Sequence, residues 1–349
     1  MEHGGIDVHK NESQICLQTE QGEILEQRIH TRRDRCAAVL GPRPRARLLI
    51  EASTESEWVA RCLEELGHEV IVADPNFAPM YATRSRRVKT DRRDAQALLD
   101  ACVRGSYRRA HRTSEAQRQV RALLTVRENL VRTRARQIQV LRALTRREGL
   151  RVRSGEAASF ERRLGELDLP ECLRAVMGPV LATLEPINQQ VEAAERAIQQ
   201  VVQGNALVRR LRTAPGVGPI TAVAFVAALD GVERFAGPHQ VECYLGLVPR
   251  EKSSGERQHK GAITKAGNPR MRWLMVEAAW RVLISRDASG EELRRWAQRI
   301  AVRRGRRIAV VALARRLTGI LYAMWRDGTD YDPRRSCGRA TPGATMAVA

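Results

Sequence analysis

The sequence predicts an α/β N-terminal domain, a long helical connector and a mainly α-helical C-terminal domain. Three observations carry this. Short apolar, β-like runs alternate with helical patterns over the first hundred residues. Residues 116–148 contain neither Gly nor Pro. After residue 205 the texture changes to helix, tight Pro-Gly turn, helix. The expected boundaries are therefore 1–110, 111–204 and 205–330, followed at 331–349 by a Pro/Gly/Ser/Arg-rich tail expected to be disordered.

Each element has its own signal. "HGGIDVHK" reads as a strand interrupted by one acid, and "SQICLQTEQGEILEQRI" as a hairpin turning near Gln21-Gly22. "RARLLIEAS" is a buried strand, because Leu48-Leu49-Ile50 is continuously apolar rather than alternating. "ESEWVARCLEELG" follows as an amphipathic helix that stops at Gly67, and "HEVIVADP" as a strand stopped by Pro75. A further helix opens at Asp91 and runs to about Arg104. Strands followed by strands alternating with helices suit a mixed sheet covered by helices.

In the connector, Val120, Leu123, Leu124, Leu130, Val131, Ile138, Leu141 and Leu144 recur at helical spacings. Such a helix spans about 50 Å, too long for one small globular face, so it needs a partner helix or subunit. Pro170, Pro179 and Pro186 are expected to break the chain before a second helical stretch ending in "INQQVEAAERAIQQVV". Further on, "LRTAPGVGPITAVAFVAAL" reads as helix, PGVG turn, helix, most simply a tight connection. "REKSSGERQHKGAITKAGN" reads as a polar loop leading into the apolar helix "MRWLMVEAAWRVL".

Composition narrows the partner. Sixty basic against forty acidic residues leave a formal charge of +20, and residues 84–153 alone carry 21 basic against 6 acidic, a net +15. A field of that size concentrates a polyanion, and nucleic acid is the expected one. No apolar run approaches the roughly 20 residues needed to cross a bilayer, and the start lacks the pattern of a signal peptide, so no membrane partner is expected. Seven scattered cysteines without a C-x-x-C pair support neither structural zinc nor a disulfide framework, and fit a reducing cytoplasm. Only five of the sixty basic residues are lysines. The arginine forks suit phosphate.

Against this basic background, "RSRRVKTDRRDAQALLDA" places Asp91 and Asp94 three residues apart among arginines. Helix capping by Asp91, or plain neutralisation of neighbouring arginines, are the simplest explanations. Yet on a helix beginning at Asp91, both aspartates share the face of Leu98, Ala101 and Cys102, which should meet the sheet. Asp7 within the first strand and Glu51 at the end of "LLIE" also point a carboxylate inward, which is costly unless a cation meets it. Four acids from separate elements relieve that cost together by holding hard divalent cations, and two Mg²⁺ ions suit phosphodiester chemistry.

This acid pattern resembles the RNase H-like, RuvC-like nuclease fold. Together with "GIDVHK", "LLIEAS", "VADP", "KTDRRDA", "PGVGPITA", "YLGLVP", "SSGERQHKGAITKAGN" and "MRWLMVEAA" in this order, the chain resembles the DEDD insertion-sequence transposases, the bridge-RNA-guided recombinases. The resemblance covers nearly the whole chain, from Gly5 to about Trp325. It implies an N-terminal RuvC-like domain, a coiled-coil connector and a C-terminal transposase domain with a nucleophilic serine. It carries the catalytic and metal-binding acids onto Asp7, Glu51, Asp91 and Asp94, and the nucleophile onto Ser254, with the adjacent Ser253 leaving that assignment open by one residue. Glu55 and Glu57 follow Glu51 closely, but the strand places Glu51 best. Serine activation is assigned to the bound metal rather than to His259. Arg84, Arg86, Arg87, Lys89, Lys260, Lys265, Arg270 and Arg272 are the expected nucleic-acid contacts. The implied partners are donor and target DNA, a structured bridge RNA and further copies of the chain as a dimer or tetramer. The implied location is the bacterial cytoplasm, at the nucleoid. Two other functions use the same features: a RuvC-like, metal-dependent junction nuclease that dispenses with the serine, and a non-catalytic basic scaffold that only binds nucleic acid.

Overall fold

The computed structural model describes residues 1–83, 90–254 and 257–334, with backbone alone over 252–260. The chain divides into two compact units, Met1–Thr113 and Ser114–Ala349. The expected contacts Arg84, Arg86, Arg87 and Lys89, and nearly all of the tail expected to be disordered, lie outside the described residues.

The first unit is built on one mixed sheet. Strands β1 (Glu2–Val8), β2 (Glu12–Gln18) and β3 (Ile24–His30) form an antiparallel meander, helix α1 (Arg33–Leu40) follows, and β4 (Ala46–Glu51) returns parallel to β1. Helix α2 (Ser56–Glu65) then leads to β5 (Glu69–Ala73), parallel to β4, and α3 (Asp91–Arg104) closes the unit. The strand order is β3-β2-β1-β4-β5. Gly67, two residues beyond α2, has φ +93, the left-handed conformation that ends helices.

Alternation along the strands sorts the side chains onto two covered faces. Ile6, Val8, Ile15, Leu17, Leu48, Ile50, Val70 and Val72 pack with Cys36 and Leu40 of α1 and with Val59, Ala60 and Leu63 of α2. On the opposite face, Leu49 and Ile71 pack with Leu98, Ala101 and Cys102 of α3, and Cys16 with Ala95 and Leu99. Gly5 lies under α3 at very close range. A Cβ there would stand 2.2 Å from the Leu99 nitrogen and 2.3 Å from the Ala95 carbonyl oxygen. Only a residue without a side chain lets helix and strand backbones approach so closely.

The second unit begins with α4 (Glu115–Arg147), a single helix of 33 residues capped by Ser114. It pairs with α6 (Glu171–Gly204) after the short α5 (Phe160–Gly165). The side-chain bonds Arg127–Glu195, Arg134–Asn188 and Gln137–Thr183 run in opposite sequence directions, so the pair is antiparallel. The expectation that Pro179 and Pro186 break this region is overturned, because α6 runs through both. Both prolines stand on the exposed side, while Met177, Leu184, Val191 and Ile198, spaced by seven, form the packed side. The carbonyls that lose a donor to proline therefore face water.

Helices α7 (Ala206–Leu211), α8 (Pro219–Leu229), α9 (Pro238–Tyr244), α10 (Pro269–Ile284), α11 (Glu291–Arg304) and α12 (Arg306–Asp327) complete the unit. Leu124 of α4 and Ile198 and Val202 of α6 belong to the same core as Phe225, Met275, Leu313 and Leu317. In the PGVG turn, Gly216 has φ +76, and an added Cβ would sit 2.4 Å from the Ala278 carbonyl. That turn is a tight packing joint against α10. By length and mean composition α12 is apolar enough to cross a membrane, although Arg315 and Arg316 interrupt its apolar run. Its Leu313, Ala314, Leu317 and Leu321, however, are fully buried in the core of this unit.

The segment expected to be a polar loop is instead an antiparallel ladder of β6 (Pro249–Ser254) and β7 (Arg257–Ile263). Its polar sequence hides the strands, because neither face is apolar enough to show a period of two.

Candidate active site

The N-terminal unit gathers its four acids at one end of the sheet, Asp7 and Asp94 buried and Glu51 half-buried, whereas Asp91, expected to face inward, has a side chain 45% exposed. Ile6 of β1 is level with Ile50 of β4, so Asp7 and Glu51 stand side by side at the next position of two parallel strands. Strands so paired are about 4.8 Å apart. Since Ile6 and Ile50 face α1 and α2, Asp7 and Glu51 face α3. Gly5 contacts Ala95–Leu99, and two residues further along β1 Asp7 comes level with the first turn of α3, which carries Asp91 and Asp94. The glycine thus sets the height at which helix-borne and strand-borne acids meet.

The cap of α3 is Thr90, whose side chain accepts from the Arg93 N–H at 3.3 Å. The capping explanation for Asp91 is therefore overturned, because Thr90 already fills that role and Asp91 is the first helical residue. Neutralisation by arginine holds in part. Arg28 lies 3.6 Å from Asp91 Oδ2 and 2.7 Å from Glu12, but Arg92 is drawn away to Glu26. Asp94 is only 6 % exposed.

Asp7 is 8 % exposed, and its Oδ2 is buried without a hydrogen bond. Burial pushes its carboxyl above the ordinary carboxylate range. His9 opposes that shift, and the negative charges of Asp94, Asp91 and Glu51 add to it. All three other acids thus act electrostatically on Asp7. Glu51 accepts a short hydrogen bond from the Tyr81 hydroxyl. Glu55 instead accepts from Trp58 Nε1 at 2.6 Å, and Glu57 from Arg112 at 3.0 Å, so both are held within α2's own surroundings.

Sequence reasoning did not find His9. Its Nε2 lies 3.2 Å from Asp7 Oδ2 and 3.4 Å from Asp91 Oδ1, and the donor atoms of all three residues fall within 4.8 Å of one another, close enough to hold a metal ion. The signal was present in "DVH", because residues two apart along a strand share a face. Tyr81 and Arg28 carried no such signal.

In the second unit, the backbone of Ser254 pairs with Arg257 and that of Ser253 with Gln258, at the far end of the β6–β7 ladder. Lys260 lies on β7 opposite Glu251. Lys265 has φ +58, and its N–H donates to the Gly246 carbonyl at 3.1 Å. Two of the expected phosphate contacts are engaged by the protein itself. Arg270 Nε pairs with Glu128 at 2.9 Å, and Arg272 Nη1 donates to the carbonyls of Leu245 and Ala266 at 3.0 and 2.9 Å.

Comparison with known proteins agrees with this arrangement. A transposase family model of the DEDD type matches residues 4–147, and the model "Transposase IS116/IS110/IS902 family" matches residues 208–295. A "Probable family 20 transposase" of Pseudomonas aeruginosa is 35% identical over 83% of this chain and 87% of its own length. The transposase for insertion sequence element IS1111A of Coxiella burnetii is 26% identical over 92% of this chain and 88% of its own. The transposase for IS1328 of Yersinia enterocolitica is 27% identical over 94% and 97%. With its acids on the strands and helix of the first unit and its second unit matched independently, the chain belongs to the DEDD-type IS110 family of insertion-sequence transposases, enzymes that act on DNA.

Proposed function

We propose that this transposase cuts and rejoins DNA with a metal-binding tetrad, Asp7, Glu51, Asp91 and Asp94, and a serine nucleophile, Ser254, under the guidance of a structured RNA from its own element. The observation that carries the reading is the convergence of strand-borne Asp7 and Glu51 with the acid-bearing first turn of α3. The strand order, with β1 central between an antiparallel meander and a parallel pair, supports an RNase H-like (RuvC-like) domain.

A divalent cation fits Asp7. Its Oδ2 is buried without a hydrogen bond and its carboxyl is held in a field of three further acids, so a cation would relieve both penalties. Asp7, Glu51, Asp91 and Asp94 would hold magnesium, two ions in this reading. When bound, it supplies Lewis-acid activation of the attacking oxygen and neutralises charge on the leaving oxygen. The protein's own residues prepare the site. The sheet fixes Asp7 and Glu51, Tyr81 orients Glu51 through its hydroxyl, and Arg28 balances the charge of Asp91. Ser254 attacks phosphorus to form a phosphoserine, releasing a sugar hydroxyl that later displaces it. Arg84, Arg86, Arg87, Lys89, Lys260 and Lys265 supply the positive surface for the strands. The α4–α6 pair serves as a coiled-coil connector. Val126 and Val140, 56% and 49% exposed and two heptads apart on α4, support a dimer or tetramer built through it.

The test uses the full chain with DNA from its element. Ser254→Ala is expected to abolish both cleavage and the covalent protein–DNA adduct, whereas a junction nuclease would keep cutting. Asp7→Asn or Asp94→Asn is expected to abolish cleavage, and a scaffold would show none to abolish. RNA that co-purifies should be one structured species. Recovery of bulk, unstructured RNA alone overturns the RNA-guided part of the reading.

A further inference from the structure

We infer that His9 is a direct ligand in the acid site, and that its imidazole gives the site an intrinsic preference for manganese over magnesium. The inference rests on the metal-dependent reading above and adds a nitrogen donor to a set otherwise made of carboxylates.

The spacing of the donors is the first argument. Two atoms each about 2.1–2.2 Å from one first-row cation stand about 3.0 Å apart at a right angle and about 3.5 Å apart at a tetrahedral angle. His9 Nε2 lies 3.2 Å from Asp7 Oδ2 and 3.4 Å from Asp91 Oδ1. Both values fall within the range set by shared coordination.

The second argument is what the close approach fails to do. At 3.2 Å from His9, the buried Asp7 Oδ2 still makes no hydrogen bond, so the imidazole is not aimed as an ordinary donor to it. A lone N–H could in any case point at only one of the two flanking oxygens. Arg28 stands 3.6 Å from Oδ2 of Asp91, the oxygen other than the one beside His9. With the ring proton on Nδ1, Asp7 Oδ2, Asp91 Oδ1 and His9 Nε2 converge as three lone-pair donors.

The third argument is chemical. Carboxylates serve magnesium and manganese alike, whereas an imidazole adds affinity for every first-row transition ion, least for manganese at the start of the Irving–Williams series, and almost none for the harder magnesium. Magnesium is held through the carboxylates alone. Manganese and cobalt gain the nitrogen. His9 is half exposed at 54%, next to the strand end, so it can turn its ring to the ion without disturbing the core.

Pulsed EPR on the full-length protein loaded with Mn²⁺ tests this directly. Nitrogen couplings from a bound imidazole are expected in the wild type, and their loss in His9→Gln. Competition titrations should show Mn²⁺ bound at least about tenfold more tightly than Mg²⁺, with that ratio shrinking by a similar factor in the variant. Circular dichroism of His9→Gln verifies that it is folded, and the wild-type spectrum does not depend on the variant. Mn²⁺ bound in an Asp7-dependent way without nitrogen couplings overturns the role of His9 and leaves the acid tetrad standing. Absence of any Asp7-dependent binding of Mn²⁺ or Mg²⁺ overturns both readings together.

Discussion

Replacing Gly5 by alanine sets two effects of opposite sign against each other. Backbone entropy alone favours alanine in a strand, by roughly 0.5–1 kcal/mol. Sterics oppose it, because the new Cβ would lie 2.2 Å from Leu99 N, 2.3 Å from Ala95 O and 2.7 Å from the Leu98 carbonyl carbon. All three are backbone atoms of one helix, so no side chain can swing aside. Ordinary contact begins near 3.4 Å, and 3.4 minus 2.2 leaves α3 about 1.2 Å to move outward. Overpacking of this kind costs about 1–3 kcal/mol, which exceeds the entropic gain. The same displacement carries Asp91 and Asp94 away from Asp7, and about 1 Å of misplacement costs on the order of a hundredfold in rate. We expect Gly5→Ala to lower the unfolding transition of the first unit, measured by calorimetry on the full chain. DNA cleavage at a temperature where the variant is still folded should fall by about two orders of magnitude. A variant as stable as wild type with undiminished cleavage would refute the seating of α3 on β1.

Three more outcomes follow from the same geometry. Burial holds the Asp7 carboxyl above its ordinary value of 3.8, so above that pH the folded chain keeps a proton the unfolded chain has released. Stability therefore falls as pH rises through that window, and in metal-free buffer Asp7→Asn should be more stable than wild type at neutral pH, the difference closing near pH 4. Denaturant titrations at several pH values with chelator present measure this. Tyr81→Phe removes the hydroxyl that orients Glu51 and should weaken divalent-metal affinity about tenfold by calorimetric titration, with the melting profile little changed. Asn188, 7% exposed, accepts from Arg134 at 3.0 Å, and Asn188→Ala should cost about 1–2 kcal/mol in urea unfolding by leaving that guanidinium short of an acceptor.

Much of the first unit was legible because its strands are strongly apolar and its breakers stand where breakers should. Leu48-Leu49-Ile50, the stop at Gly67 and the helix at Asp91 each had a local physical cause that the fold kept. Asp7 and Glu51 stood out because a charge inside an apolar strand demands an explanation from sequence alone. Helix α1 was harder to locate, since Arg33–Leu40 has three charges in eight residues and little periodicity. The prolines of α6 misled because breaking a helix is a cost, and exposure on the outer side of a long packed pair makes that cost tolerable. The β6–β7 ladder was hidden by polarity. Arg270 and Arg272 illustrate a further limit, since an arginine that serves a phosphate and one that serves the protein's own Glu128 or Leu245 carbonyl are identical in a string of letters.

The shared core of the second unit has a practical consequence for dissecting this enzyme. Leu124, Ile198 and Val202, which lie on the long helices, complete the apolar interior that Phe225, Met275 and Leu317 begin. A fragment starting near residue 205 would leave that interior open to water on one side and should precipitate. The step from Thr113 to Ser114, where one compact unit ends and the other begins, is the place to divide the gene for expression.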